Sequence, residues 1–234
     1  MPSKPGEPPR LTIVIPVLNE ERTIRHVLER VLETPYEKEI VVVDDGSTDS
    51  TPSILEEFHT QHGIVVLRHP QRQGKGAALR TGFASATGDI VIVQDADGEY
   101  HPEEYALLIK PIVRGWADAV FGSRFIGTHR VFLLSHRIGN GLVNALANIL
   151  YDTTLSDLET GFKAVRREVL QSLRLRANDF RIEVEITAKL FKRHCRVYEV
   201  PISYSGRSYA EGKKLTWRDG LLALWALLIF RVSD

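Results

Sequence analysis

The stretch Ile90-Val-Ile-Val-Gln-Asp95-Ala-Asp97-Gly-Glu99 runs an apolar, β-branched segment straight into three carboxylates within five positions. Carboxylates this close repel one another and lose hydration unless a cation or a ring of donors meets them. Oxygen-only donors suit a hard divalent ion such as Mg²⁺ or Mn²⁺, which also binds phosphate. Asp95, Asp97 and Glu99 are therefore candidate metal ligands for chemistry on a phosphorylated compound. A second acidic pair, Asp44-Asp45, follows Val41-Val-Val43 and leads into Gly46-Ser-Thr-Asp49. A carboxylate there can accept hydrogen bonds from a nucleobase or a ribose hydroxyl. A turn with an Asp helix cap uses the same residue types. Gly74-Lys75-Gly76, ahead of a helical segment, could aim backbone N–H groups and the Lys75 ammonium at a diphosphate. It is not a P-loop, because Gly76 stands where a metal-binding Ser or Thr belongs, and Leu79 breaks the Gly-x-Gly-x-x-Gly pattern. Simple ATPase and dehydrogenase readings are thereby removed.

Further cations lie downstream: Arg124 in Gly122-Ser-Arg, Arg130, Arg137, Lys163 in Thr160-Gly-Phe-Lys, and Arg207 with Lys213 and Lys214. Each on its own is an ordinary solvated charge, but those in Gly- or Ser-rich loops facing an acidic site are candidates for binding phosphate. His101 and His136 could be ligands or bases, although surface roles are commoner.

These residues need strand ends to hold them together. Strand-like runs occur at Leu11 to Val17, Ile40 to Val43, Ile64 to Leu67 and Ile90 to Gln94. Helical spacing falls between them at Glu21 to Glu33, from Ser50-Thr51-Pro52 onward, at Ala77 to Ala86 and at Pro102 to Arg114. Strands that are apolar throughout, separated by helices, predict an α/β fold with a mostly parallel sheet covered on both faces. Ligands in such sheets bind beyond the carboxyl ends of the strands. Asn19-Glu20, Asp44-Asp45 and Asp95-Ala-Asp97 should thus converge on one crevice. The second half is less regular. Strands are expected at Ala119 to Phe121, Gly161 to Val165 and Val197 to Ser203, with helices at Leu134 to Leu150 and Glu183 to His194.

No repeat or low-complexity linker divides the 234 residues, so one domain is expected, from 11 to 215, after a disordered lead-in at 1–10. The lead-in has no apolar segment of the kind a signal peptide needs. A C-terminal helix is expected at 216–234. Its run Leu221 to Phe230 is about half the length needed to cross a bilayer. It reads as a core-packing helix on pattern, or as an interfacial one flanked by Arg218 and Arg231. The chain carries 30 Lys plus Arg against 30 Asp plus Glu, a balance that argues against a nucleic-acid binder. Its single Cys195 excludes an intrachain disulfide and a cysteine zinc site, which fits a reducing, cytoplasmic setting.

Ile15-Pro16-Val-Leu-Asn19-Glu20, Val43-Asp-Asp45-Gly-Ser47, Gly74-Lys-Gly76-Ala-Ala-Leu79, Asp95-Ala-Asp97-Gly-Glu99-x-x-Pro102, Gly122-Ser-Arg124 and Thr160-Gly-Phe162 occur here in one order. In that order they resemble family 2 glycosyltransferases, most closely the dolichyl-phosphate mannose synthase and polyprenyl-phosphate glycosyltransferase branch, over about residues 11 to 215. The resemblance implies a GT-A fold, a Rossmann-like sheet flanked by helices. It implies that Pro16, Leu18, Glu20, Val43 and Asp45 line the nucleoside pocket. Asp95, Ala96, Asp97 and Glu99 would hold metal and diphosphate, Arg207 and Lys213 would reach the donor phosphates, and Arg124 and Arg137 would grip the phosphate of a lipid acceptor. Three departures stand out: Leu18 replaces an aromatic residue usual in mannose synthases, Glu99 a Gln, and Gly141 a Ser on the acceptor side.

The combined expectation is an inverting, Mg²⁺- or Mn²⁺-dependent transfer of sugar from a nucleotide diphosphate to a polyprenyl phosphate, with peripheral membrane contact. A lipid phosphate is already an anionic nucleophile and needs alignment rather than a base. A hydroxyl acceptor would need a base, for which Asp157 in Ser156-Asp-Leu-Glu159-Thr is the first candidate and Glu159 the second. Two other classes remain open at this level. A haloacid-dehalogenase-type phosphatase also carries Asp-x-Asp after a strand, but it needs further acidic metal ligands downstream, and no Asp-Asp pair follows Asp97. A nucleotide-sugar sensor without turnover has no use for the full carboxylate set.

Overall fold

The structure, a computed structural model, describes residues 8–131, 133–206 and 217–233, without the side chains of residues 135, 136 and 217–219. The expectations for 1–7, Arg207, Lys213, Lys214 and the side chains of His136 and Arg218 lie outside the described residues. Seven strands form one sheet in the order β3-β2-β1-β4-β6-β5-β7. They are β1 (Leu11–Val17), β2 (Lys38–Asp44), β3 (Val65–Arg68), β4 (Ile90–Val93), β5 (Ala119–Ser123), β6 (Lys163–Arg166) and β7 (Val197–Pro201). Neighbours run parallel except β6, which lies antiparallel between β4 and β5. The helices are α1 (Ile24–Glu33), α2 (Thr51–His62), α3 (Lys75–Ser85), α4 (Tyr105–Val113), α5 (Leu134–Tyr151), α6 (Arg167–Ser172), α7 (Arg181–Lys192) and α8 (Trp217–Val232).

Side chains alternate across a strand, and β1 shows the result. Ile13 and Ile15 join a core with Ile24 and Leu28 of α1, Leu55 of α2 and Leu108 of α4. Val14 faces the opposite core, built from Leu79 and Phe83 of α3, Val143 and Ala147 of α5, Ile182 and Ile186 of α7, and Leu227 of α8. Both faces are covered, which is why these strands read as unbroken apolar runs.

Two topological facts make the site. The chain leaves β1 toward β2 on one side and later adds β4 on the other, so a crevice opens between their carboxyl ends. Because β6 runs backwards, residues 156–162 arrive at that same edge instead of the far one. The helix expected from Pro102 begins as a 3-10 turn at Pro102–Glu104, and α4 proper starts at Tyr105. The short α6 was not anticipated. Among the described residues no helix is long and apolar enough to cross a membrane.

Candidate active site

Asp45 ends β2 with both carboxylate oxygens engaged. Oδ1 accepts the Gln73 N–H at 2.8 Å and meets His69 Nδ1 at 2.7 Å, while Oδ2 accepts the Gly74 N–H at 2.7 Å. Its work is to fold the turn that starts α3. Gly74 has a positive φ of 108°, and a Cβ there would collide with the Asn178 carbonyl. A Cβ at Gly76 would strike the Ala177 carbonyl in the same way. The glycines of Gly74-Lys75-Gly76 therefore serve close backbone packing, and the Ala77 N–H donates to Asn178 O at 3.1 Å. The Gly74 and Ala77 N–H groups of the expected phosphate cradle are thus already engaged within the protein. What the turn delivers is the Lys75 side chain.

Lys75 Nζ lies 2.8 Å from Asp95 Oδ1 and 3.3 Å from Glu183 Oε1. Burial pulls its acidity one way, but Asp95, Glu183 and Asp97 outweigh that and hold the ammonium above the usual lysine range. Glu183 in turn meets Lys163 Nζ at 2.6 Å. Lys163 is 1% exposed and also donates to the carbonyls of Leu158 and Thr160. It is an internal strut and not a surface phosphate ligand, which corrects that expectation. Gly161 forms one wall: a Cβ there would collide with Asp95 Oδ2 and sit 3.1 Å from Lys75 Nζ.

On the other side of Gly161, Tyr100 accepts its N–H at 3.0 Å and stacks on Phe162, with ring centroids 5.1 Å apart. Arg124, just past β5, forms a fork on Asp157: Nε to Oδ2 and Nη2 to Oδ1, both 2.7 Å. The Arg124 backbone N–H adds a third bond at 2.9 Å. Asp157 is fully buried. Both oxygens of Asp157, the first candidate base, are thus engaged by Arg124. Glu159, in contrast, is pushed above the usual carboxylate range by burial, against the opposing pull of Arg124. Phe125 draws two cations together: the Arg137 guanidinium lies 4.2 Å from its ring centroid and that of Arg124 5.7 Å.

Of the nucleoside candidates, Pro16 and Leu18 are half-buried at the β1 end and Glu20 is 9% exposed. Val43 is fully buried against Val41 and Ala78, so its side chain backs the crevice and does not line it. Ala96 is also buried, with its carbonyl accepting the Thr23 hydroxyl at 2.8 Å. Asp44 is the neighbour that sequence reasoning undervalued. One of its buried oxygens has no hydrogen-bond donor and faces only the charge of Arg68, 3.2 Å away.

The donor set at β4 suits Mg²⁺ or Mn²⁺ in type: carboxylate oxygens, with an ammonium standing on Asp95 in the place of a cation. Glu99, the third candidate ligand, accepts the Tyr204 hydroxyl at 2.6 Å, and Asp97 accepts the Glu99 N–H at 3.2 Å. Among the described residues no three His, Cys, Asp or Glu side chains already form a cage. Glu183 was missed as a site residue. The available signal was an acid in the middle of the apolar run Ile182-Glu-Val-Glu-Ile186, which must find a buried partner.

The chain is 30% identical over 214 residues to a polyprenol monophosphomannose synthase of Mycolicibacterium smegmatis, covering 87% of this chain and 80% of that one. It is 30% identical over 213 residues to a dolichol-phosphate mannosyltransferase of Pyrococcus furiosus, covering 87% of this chain and 59% of the relative. A UDP-N-acetylglucosamine–dolichyl-phosphate N-acetylglucosaminyltransferase of Methanococcus voltae is 27% identical over 94% of this chain and 96% of its own. In fold, the chain is similar to glucosyl-3-phosphoglycerate synthase of Mycobacterium tuberculosis, crystallised with Mn²⁺, UDP-glucose and phosphoglyceric acid. The TM-score is 0.75 at 24% identity, over 97% of this chain and 81% of that one. The fold is thus GT-A, as the resemblance implied. The sequence profile described as "Glycosyl transferase family 2" matches residues 12–174, and the chain, a glycosyltransferase, belongs to that family.

Proposed function

We propose that this glycosyltransferase moves a sugar from a nucleotide diphosphate to a polyprenyl phosphate at a membrane surface, with Mg²⁺ or Mn²⁺ as cofactor. The observation that carries the reading is the pairing of two charge sets at one sheet edge. Asp95, Asp97 and Lys75 stand at the end of β4. Arg124 and Arg137 meet around Phe125 at the end of β5. Pro16, Leu18, Glu20 and Asp44 would hold the nucleoside, with Asp45 shaping the turn beside it and Arg207 and Lys213 reaching the donor phosphates. A divalent ion on Asp95 and Asp97 would supply charge neutralisation for the departing nucleoside diphosphate. The acceptor phosphate oxygen attacks the anomeric carbon as the bond to the diphosphate breaks, which inverts the centre. Arg137 is the freer of the two arginines to grip that phosphate, while Arg124 stays on Asp157 and adds its field.

Membrane contact is supported by apolar surface beside these arginines. On α5, Leu134, Ile138, Leu142 and Ile149 recur at helical spacing and are all exposed, and on α8 so are Leu221, Trp225, Leu228 and Val232. The expected core helix packs Ala223, Ala226 and Leu227, with Leu224 and Phe230, against the core and leaves Leu221, Leu222, Trp225 and Leu228 exposed. Trp at such a boundary suits a headgroup layer. The relatives named for dolichyl or polyprenol phosphate substrates point the same way.

A second reading, transfer to a hydroxyl, rests on Glu159, whose raised proton affinity suits a base. Incubation with a panel of UDP- and GDP-sugars plus Mn²⁺ separates the two. The proposal expects product on vesicles containing polyprenyl phosphate, and none in an Asp97→Ala variant that still folds. Transfer only to soluble hydroxyl acceptors overturns it.

A further inference from the structure

Two cations cannot occupy one carboxylate at short range without strong repulsion. In this chain Asp95 already has one. The Lys75 ammonium sits 2.8 and 3.1 Å from its two oxygens, with both side chains largely screened from solvent. Gly161 closes one flank of the pair, and the Phe180 ring lies 6.0 Å from Nζ. Behind Lys75, Glu183 offers an oxygen at 3.3 Å that accepts no hydrogen bond, while its other oxygen is taken by Lys163. The lysine is thus balanced between a carboxylate that a divalent ion would need and one that is already half neutralised. Its four-carbon stem lets the ammonium move several ångströms, and its three N–H donors need anionic oxygens wherever they go.

We propose that Lys75 is an internal counter-cation that competes with the divalent ion for Asp95, and that the donor diphosphate relieves the competition by drawing the ammonium onto its own oxygens. This rests on the reading of Asp95 and Asp97 as the metal and donor site. The free protein then binds Mn²⁺ weakly, and nucleotide and metal each tighten the other, as linkage requires. Unpaired carboxylates never face one another in the empty crevice, and a divalent ion is taken up together with the substrate whose charge it must neutralise.

The test is Mn²⁺ binding, followed by electron paramagnetic resonance and calorimetry, with UDP and GDP as the nucleotide probes. Direct coordination of Mn²⁺ by a diphosphate produces some coupling in any protein, so the deciding quantity is affinity for Mn²⁺ alone. Lys75→Met and Lys75→Gln should bind bare Mn²⁺ at least fivefold more tightly than wild type, and Lys75→Arg should restore weak binding. Gln keeps a neutral donor between Asp95 and Glu183 and guards against a folding defect in the Met variant, and thermal melts check both. If Mn²⁺ binds wild type with nucleotide, yet the neutral variants bind bare Mn²⁺ no more tightly than wild type, the competition is overturned and the metal site stands. If Mn²⁺ binds no form even with nucleotide, the metal reading falls and this inference with it.

Discussion

Arg124 and Asp157 hold each other through two parallel bonds of 2.7 Å, and the carboxylate has no exposed surface. Removing one partner of a buried pair strands the other charge, which costs about 3–5 kcal/mol. Arg124→Ala should lower unfolding stability by that amount. Arg137→Ala removes an exposed cation over Phe125 and should cost about 0.5–1 kcal/mol. Urea denaturation compares them, and equal losses would show that the Arg124 fork is not buried as described.

Gly161 and Gly139 make a contrasting pair. A Cβ at Gly161 meets Asp95 and Lys75, whereas at Gly139, on the exposed side of α5, it meets nothing within 4 Å. Gly161→Ala should therefore weaken binding of Mn²⁺ with UDP or GDP more than tenfold. Gly139→Ala should leave binding unchanged and raise stability by about 0.5–1 kcal/mol through helix propensity. Calorimetric titration with melts on both variants checks the pair, and unaltered nucleotide binding in Gly161→Ala would count against the site.

Burial holds the Glu159 carboxyl above the usual carboxylate range. A raised value means that the folded chain keeps this proton longer than the unfolded chain, where a glutamate titrates near about 4.3. The associated stability is fully present below that pH and is lost as pH rises through the folded value. Glu159→Gln removes the titration. Its melting temperature relative to wild type should therefore rise between pH 4 and pH 7. A difference that stays flat across that window would refute the burial assigned to this group.

The apolar faces of α5 and α8 yield a surface prediction. Leu142 and Trp225 are 59% and 60% exposed, so glutamates there should not disturb the core. Leu142→Glu with Trp225→Glu is expected to cut flotation with anionic vesicles at least fivefold, with the melting temperature little changed. Wild-type protein that never floats would remove the membrane contact.

Much of the sheet was legible because its strands are buried on both faces and so read as unbroken Val and Ile runs. β4 ran visibly into its carboxylates, and β1 and β2 into Asn19-Glu20 and Asp44-Asp45. What escaped depended on long-range partners. Asp45 and Asp44 look equivalent in sequence, yet one is saturated by the 69–74 turn and the other retains a buried oxygen without a donor. Lys163 and Lys75 are both lysines within two residues of a glycine, and only the fold shows one as a buried strut and the other as the cation on Asp95. Antiparallel β6 was invisible because strand direction leaves no mark in a four-residue run, but it is what carries Asp157, Glu159 and Gly161 to the crevice.

The linkage in the product tests the central claim most directly. Protein, Mn²⁺, the nucleotide sugar it accepts and vesicles holding a polyprenyl phosphate should yield a sugar joined to the lipid through a phosphodiester, with the anomeric centre inverted. Phosphorus and proton magnetic resonance of the extracted lipid read both features. A glycoside to a hydroxyl group, or a retained anomeric configuration, would contradict the account.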